Sequence, residues 1–216
     1  MDGRMRATPV KVKVCGLFRQ ADIWAINQAK PDYCGFVVNF PKSHRSLSPE
    51  AVRLLRAGLD AAVTPVGVFV NQPVELVAGL LNSDVVSVAQ LHGSEDGTYL
   101  AALRSLTHGP IWQAFAVRSA ADLERAAASA ADFVLLDAGQ GTGQSFDWSL
   151  LAGFPRPFGL AGGLHTGNLE EALKTGAALL DVSGGVETEK CKDAEKIREF
   201  VRIAYSNTGP LPLPER

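Results

Sequence analysis

The stretch VKVKVCGLF, residues 10–18, reads as a strand that stops at a thiol and a glycine. Val10, Val12 and Val14 alternate with lysines, and β-branched residues at period two favour a strand. The loop after this strand decides the fold. A doubly wound dinucleotide fold carries a glycine-rich loop after its first strand. CGLFRQAD at 15–22 has one glycine, which weakens that alternative.

Seven further short runs have strand character: CGFVV (34–38), VGVFV (66–70), VSVAQL (86–91), IWQAFA (111–116), DFVLLD (132–137), PFGLA (157–161) and LLDVS (179–183). With KVKVC (11–15) they make eight, and their ends fall on average about 24 residues apart. That is room for one strand, one helix and two short loops. The strands read as apolar on both faces, as a parallel sheet covered by helices requires. Between them the period changes to that of a helix. Val74, Val77, Ala78 and Leu81 follow it, as do Leu123, Ala126, Ala127 and Ala130, and Ile197, Phe200, Val201 and Ala204. Ser48 before Pro49 reads as a helix start, and Ser119 with Asp122 as a capping box. The expectation is a single-domain α/β chain, a (β/α)8 barrel over residues 10–205, with a flexible extension at 1–9 and a proline-rich tail at 206–216.

Composition narrows the function. The 216 residues carry 21 Lys and Arg against 23 Asp and Glu, a net charge of −2. Nothing in that balance calls for nucleic acid or an anionic membrane. No run of about 18 apolar residues is present to span a bilayer, and the N-terminus lacks the apolar stretch of a secretory signal. Three cysteines, Cys15, Cys34 and Cys191, with no C-x-x-C pair, argue against disulfides and zinc and for a reducing, cytoplasmic setting.

Barrel sites form where strands end. Those ends offer Cys15, Arg45, His92, Asp137, Gly162-Gly163 and Ser183-Gly184-Gly185. Two glycine pairs in the seventh and eighth loops fit a phosphate held by backbone N–H groups. The glycine-rich GQGTGQ at 139–144 could close over a ligand. Read alone, Cys15 is equally a small buried hydrophobe, Asp137 a cap or ion-pair partner, Arg45 a solvated charge and His92 a ring satisfied by backbone.

Taken in order, KVCGL (13–17), GFVV (35–38), PKSHRSLSPE (41–50), GVFVN (67–71), QLHG (90–93), LLD (135–137), GTGQSFDW (141–148), AGGL (161–164) and DVSGGVE (181–187) resemble the phosphoribosylanthranilate isomerases of tryptophan biosynthesis. The resemblance runs from about residue 11 to 204. It implies an Amadori rearrangement of a phosphorylated aminosugar, without metal or redox cofactor. By position it implies Cys15 as general base, Asp137 as general acid and Arg45 as partner of the anthranilate carboxylate. It places the substrate phosphate at Gly162, Gly163, Ser183, Gly184 and Gly185. Such an enzyme takes a small phosphorylated substrate and works as a monomer or homodimer. Three features depart from the family pattern: Phe18 for threonine, Gly184 for a second serine, and a shortened ETEKCKD at 187–193. A related phosphate-binding barrel isomerase is the nearest alternative, and its family is built around two aspartates rather than a cysteine. A phosphosugar-binding barrel without activity is the other.

Overall fold

The computed structural model describes residues 9–137 and 148–206. The expected extensions at the two ends, apart from Pro9 and Ser206, and the GQGTGQ segment lie outside the described residues. Eight strands form the barrel: β1 (Lys11–Cys15), β2 (Tyr33–Val38), β3 (Thr64–Phe69), β4 (Val88–Leu91), β5 (Ile111–Ala116), β6 (Phe133–Asp137), β7 (Phe158–Ala161) and β8 (Leu179–Val182). Each is parallel to its neighbours, and β1 pairs with both β2 and β8. Lys13 stands opposite Tyr33 on one side and Asp181 on the other, so the sheet is closed. Ser46–Leu47 pairs in parallel beside the end of β2. Glu187–Thr188 and Cys191–Lys192 form a small hairpin after β8. Glu189 (φ 50°) and Lys190 (φ 62°) make its two-residue turn, which is how the shortened loop reverses direction.

Among the described residues, seven α-helices accompany the strands: α1 (Gln20–Ala29), α2 (Pro49–Arg56), α3 (Val74–Asn82), α4 (Gly97–Leu106), α5 (Ala120–Ala127), α6 (Leu169–Lys174) and α7 (Ala194–Ser206). Ser48 caps α2 by accepting from the Ala51 N–H, with Pro49 in the first turn, and Ser119 with Asp122 closes a capping box on α5. Helix α5 stops at Ala127, short of the expected Ala130. Between β6 and β7 the described residues hold only a 3-10 turn, Trp148–Leu151. Gly153, Pro155 and Pro157 leave no length for a helix there. Among the described residues no helix is long and apolar enough to cross a membrane.

The alternation in β1 decides what faces inward. Val10, Val12 and Val14 are fully buried in the shell between barrel and helices. Their burial is worth on the order of 5 kcal/mol together, enough to set the strand's orientation. Lys13 and Cys15 must then point into the barrel. Lys13 is 0 % exposed, and its ammonium meets the Asp181 carboxylate at 2.7 Å. A separate inner cluster of Val66, Val88, Trp112, Leu135, Ala161 and Leu179 fills the barrel interior.

Candidate active site

A cavity of about 560 Å³ opens at the C-terminal ends of the strands. Every residue singled out from the sequence lines it: Cys15, Arg45, His92, Asp137, Gly162, Gly163, Ser183, Gly184 and Gly185. Cys15 closes β1, and Gly16 follows because the chain must let Arg45 pass. A Cβ on Gly16 would lie 2.3 Å from Arg45 Cδ. Arg45 is half-buried and donates twice to Glu187, through Nε at 2.7 Å and Nη2 at 2.6 Å. That fork-on-carboxylate geometry fixes the guanidinium plane at the rim. The buried Lys192 ammonium donates to Glu187 Oε1 at 2.7 Å, the oxygen that also accepts from Arg45 Nε, and reaches the Ser183 carbonyl at 3.0 Å.

Asp137 stands at the end of β6. His92 Nε2 lies 3.3 Å from its carboxylate, and Gln90 Nε2 lies 3.3 Å from His92 Nδ1. If the amide donates to Nδ1, Nε2 carries the ring proton and faces the carboxylate. The ring is therefore placed by side chains, not by backbone as its position in the sequence implied.

The glycine loops form the remaining wall. Gly162 (φ 85°) and Gly163 (φ 67°) curl the backbone after β7 through two positive-φ residues in succession, a path that glycine takes without strain. After β8 the chain enters a short turn, Gly184–Val186. Ser183 Oγ donates to the Cys15 carbonyl at 2.9 Å, so this loop is tied to the strand that carries the thiol.

Sequence reasoning missed four charged groups at this site: Lys13, Asp181, Glu187 and Lys192. Only the register of strands distant in sequence brings them together, although a lysine two residues before the thiol was a local signal. The electrostatics also differ from expectation. A base working near neutral pH should have a lowered pKa, yet in the described structure burial pushes the Cys15 thiol up, against the pull of Lys13 and Lys192. Burial likewise raises the Glu187 carboxyl, but hydrogen bonds from Arg45 and Lys192 outweigh it and hold it at about 2. A depressed carboxylate stabilises the fold above its unfolded value of 4.5, and that share is lost as the pH falls toward 2. Glu187→Gln should thus melt below the parent at pH 7, and the two melting curves should converge near pH 2. Melts followed by circular dichroism check this, and a gap that persists to pH 2 counts against the ion-pair account.

Among the described residues no group of three or more His, Cys, Asp or Glu side chains is placed to hold a metal ion. What the cavity does offer is a carboxyl and a thiol from different strands, an arginine and two glycine loops. A family model for N-(5'-phosphoribosyl)anthranilate (PRA) isomerase matches residues 12–203. The chain is 40% identical over 202 residues to the N-(5'-phosphoribosyl)anthranilate isomerase of Endomicrobium trichonymphae, covering 91% of this chain and 98% of that protein. The crystal structure of phosphoribosyl anthranilate isomerase from Thermus thermophilus is similar with a TM-score of 0.78 at 35% identity, covering 90% of this chain and 98% of that one. Another such isomerase was solved in complex with reduced 1-(o-carboxyphenylamino)-1-deoxyribulose 5-phosphate. It is similar with a TM-score of 0.80 at 32% identity, covering 91% and 99%.

Proposed function

Since the chain belongs to the N-(5'-phosphoribosyl)anthranilate isomerase family and is an isomerase, we propose that it converts N-(5'-phosphoribosyl)anthranilate to 1-(o-carboxyphenylamino)-1-deoxyribulose 5-phosphate, a step of tryptophan biosynthesis. The observation that carries this reading is the shared cavity, where Cys15 and Asp137 stand on β1 and β6 with the glycine loops beside them.

Asp137 donates a proton to the furanose oxygen as the C1–O bond breaks, and the open sugar is left as a Schiff base. The imine makes the C2 proton acidic, and the Cys15 thiolate removes it. The enolamine then tautomerises to the ketone, so no atoms are gained or lost. His92 orients the Asp137 carboxyl through the 3.3 Å contact. The phosphate lies between Gly162-Gly163 and Ser183-Gly184-Gly185. Gly184 in place of serine costs that site a hydroxyl but no N–H. The experiment that tests the function is rescue of a tryptophan auxotroph lacking this isomerase, with turnover measured on the purified protein. Failure of both would overturn it.

Arg45 holds the anthranilate carboxylate. Glu187 takes its Nε and Nη2 and so aims the guanidinium, leaving Nη1 for the substrate. Arg45→Ala should raise KM about tenfold or more, since a hydrogen bond between charged groups is worth roughly 1.5–3 kcal/mol. The melting temperature should fall as well, because the change also breaks the Arg45–Glu187 pair, so the kinetics are read well below the variant's melt. Steady-state kinetics decide it, and an unchanged kcat/KM removes Arg45 from the substrate.

A further inference from the structure

Lys13 has no place in the reaction as described, yet it is among the largest fully buried side chains of the described residues. A lysine is almost never buried without a purpose or a partner, because desolvating an ammonium costs several kcal/mol. Asp181 is the partner, across adjacent strands at 2.7 Å. The purpose follows from position. Residues 13 and 15 of one strand project to the same side, so Lys13 and Cys15 both enter the barrel. Gly35 on β2, paired with Cys15, leaves the space they share. A Cβ on Gly35 would lie 2.7 Å from Cys15 Sγ and 3.2 Å from Lys13 Cε. Both groups therefore crowd one point, so the thiol stands beside the side chain whose ammonium binds the Asp181 carboxylate.

We propose that Lys13 is the positioning residue of the proton transfer: its ammonium, anchored by Asp181, is the countercharge on which the Cys15 thiolate forms. The proposal rests on the reading of Cys15 as the base. Thiolate and carboxylate compete for one cation. Asp181 keeps Lys13 charged and in place, and at the same time limits how far it favours the thiolate. Other groups face the sulfur too. Lys192 on the hairpin after β8 and Arg45 on the loop after β2 bring positive charge to its surroundings, both already bound to Glu187, and Cys34 is on β2. Asp137 and His92 line the far side of the same cavity. Of the three cations, only Lys13 stands on the thiol's own strand and is paired with a carboxylate that itself lies inside the barrel. Burial works against the thiolate, and Lys13 is the foremost group pulling the other way.

The test is the pH at which Cys15 becomes reactive. Alkylation by iodoacetamide, read at Cys15 by peptide mass spectrometry, reports the thiolate separately from Cys34 and Cys191. An opposite charge within about 4–6 Å shifts a titration by 1–3 pH units. In Lys13→Met the alkylation midpoint should rise by at least about one unit, and the acid limb of kcat/KM should move with it. Should a lone buried carboxylate prevent that variant from folding, Lys13→Met with Asp181→Asn removes both charges at similar volume and should still show a rise, smaller than that of Lys13→Met because the opposing carboxylate is gone too. Asp181→Asn alone frees the ammonium and should lower the midpoint. A folded Lys13 variant whose midpoint stays where it was would overturn the proposal, and so would a rise in Asp181→Asn. Alkylation reads the thiol whether or not it is the base. If Cys15→Ala kept its turnover, the assignment of the base would fall, while the alkylation midpoints would still decide the charge effect.

Discussion

Cys15→Ala and Asp137→Asn are each expected to lose at least ~10²-fold in kcat, the low end for removing a general acid or base. The two losses have different origins. Without the thiol, no described residue replaces it at the end of β1, since its strand neighbour Lys13 is a cation already committed to Asp181. Without the carboxyl proton the ring oxygen leaves as an alkoxide, and the amide introduced by Asp137→Asn cannot supply the missing proton. Neither change should cost much binding, because the phosphate contacts are proposed to come from the glycine loops. Both variants should stay folded and retain affinity for a reduced product analogue. Wild-type kcat/KM should trace a bell against pH, rising as the thiolate forms and falling as the acid loses its proton. Cys15→Ala should abolish the acid limb. Rapid turnover by Cys15→Ala would make the thiol a core residue and require another base.

The next largest effect is expected at Gly185. The loop after β8 passes so close to the loop after β7 that a Cβ on Gly185 would sit 1.9 Å from the Leu164 carbonyl oxygen and 2.9 Å from His165 Cβ. No side-chain rotation relieves a clash with backbone. Gly185→Ala must push apart the two loops proposed to share the phosphate. Each charged hydrogen bond lost in this way is worth roughly 1.5–3 kcal/mol, so KM should rise at least about tenfold, with a smaller change in kcat. Gly163 offers the contrast. Its Cβ would meet nothing within 4 Å, and only its φ of 67° opposes substitution. Gly163→Ala should therefore be the milder variant, and a larger residue there should raise KM by blocking the phosphate. Kinetics and calorimetric titration of the product analogue test both. An unchanged KM in Gly185→Ala would move the phosphate elsewhere.

Much of this was legible in the linear chain. Strand ends announced themselves as apolar runs breaking on Cys15, Asp137, Gly162 or Ser183, and a barrel of parallel strands brings such ends to one rim. Three things were not. The first is Lys13: a Val-Lys alternation usually marks a strand with one face in water, but helices cover the valine face here, and the lysine goes inside. The second is pairing over distance. Asp181 sits in the apolar LLDVS, and nothing local shows that it meets Lys13. Glu187 and Arg45 are likewise joined only by folding. The third is the set of departures from the family pattern, two of which turn out to be linked through His44. Phe18 packs edge-on against His44 at 5.9 Å, and His44 Nε2 lies 3.2 Å from the carbonyl of Lys190 in the tight hairpin turn. The bulky ring and the shortened loop are thus parts of one rearranged rim.

The seam between β1 and β8 also bears on how the chain is made. Lys11 pairs with Leu179, and Tyr205 on α7 donates to Asp32 near the start of β2. On a ribosome adding about 5–20 residues per second, the first strand waits roughly ten to thirty seconds for its second neighbour. During that interval one edge of a nascent sheet is bare, and bare edges pair with strangers. A lysine on that strand keeps the waiting edge soluble before it is enclosed. The residue proposed to serve the thiol in the finished barrel would then also guard the unfinished one against neighbouring chains on the same message.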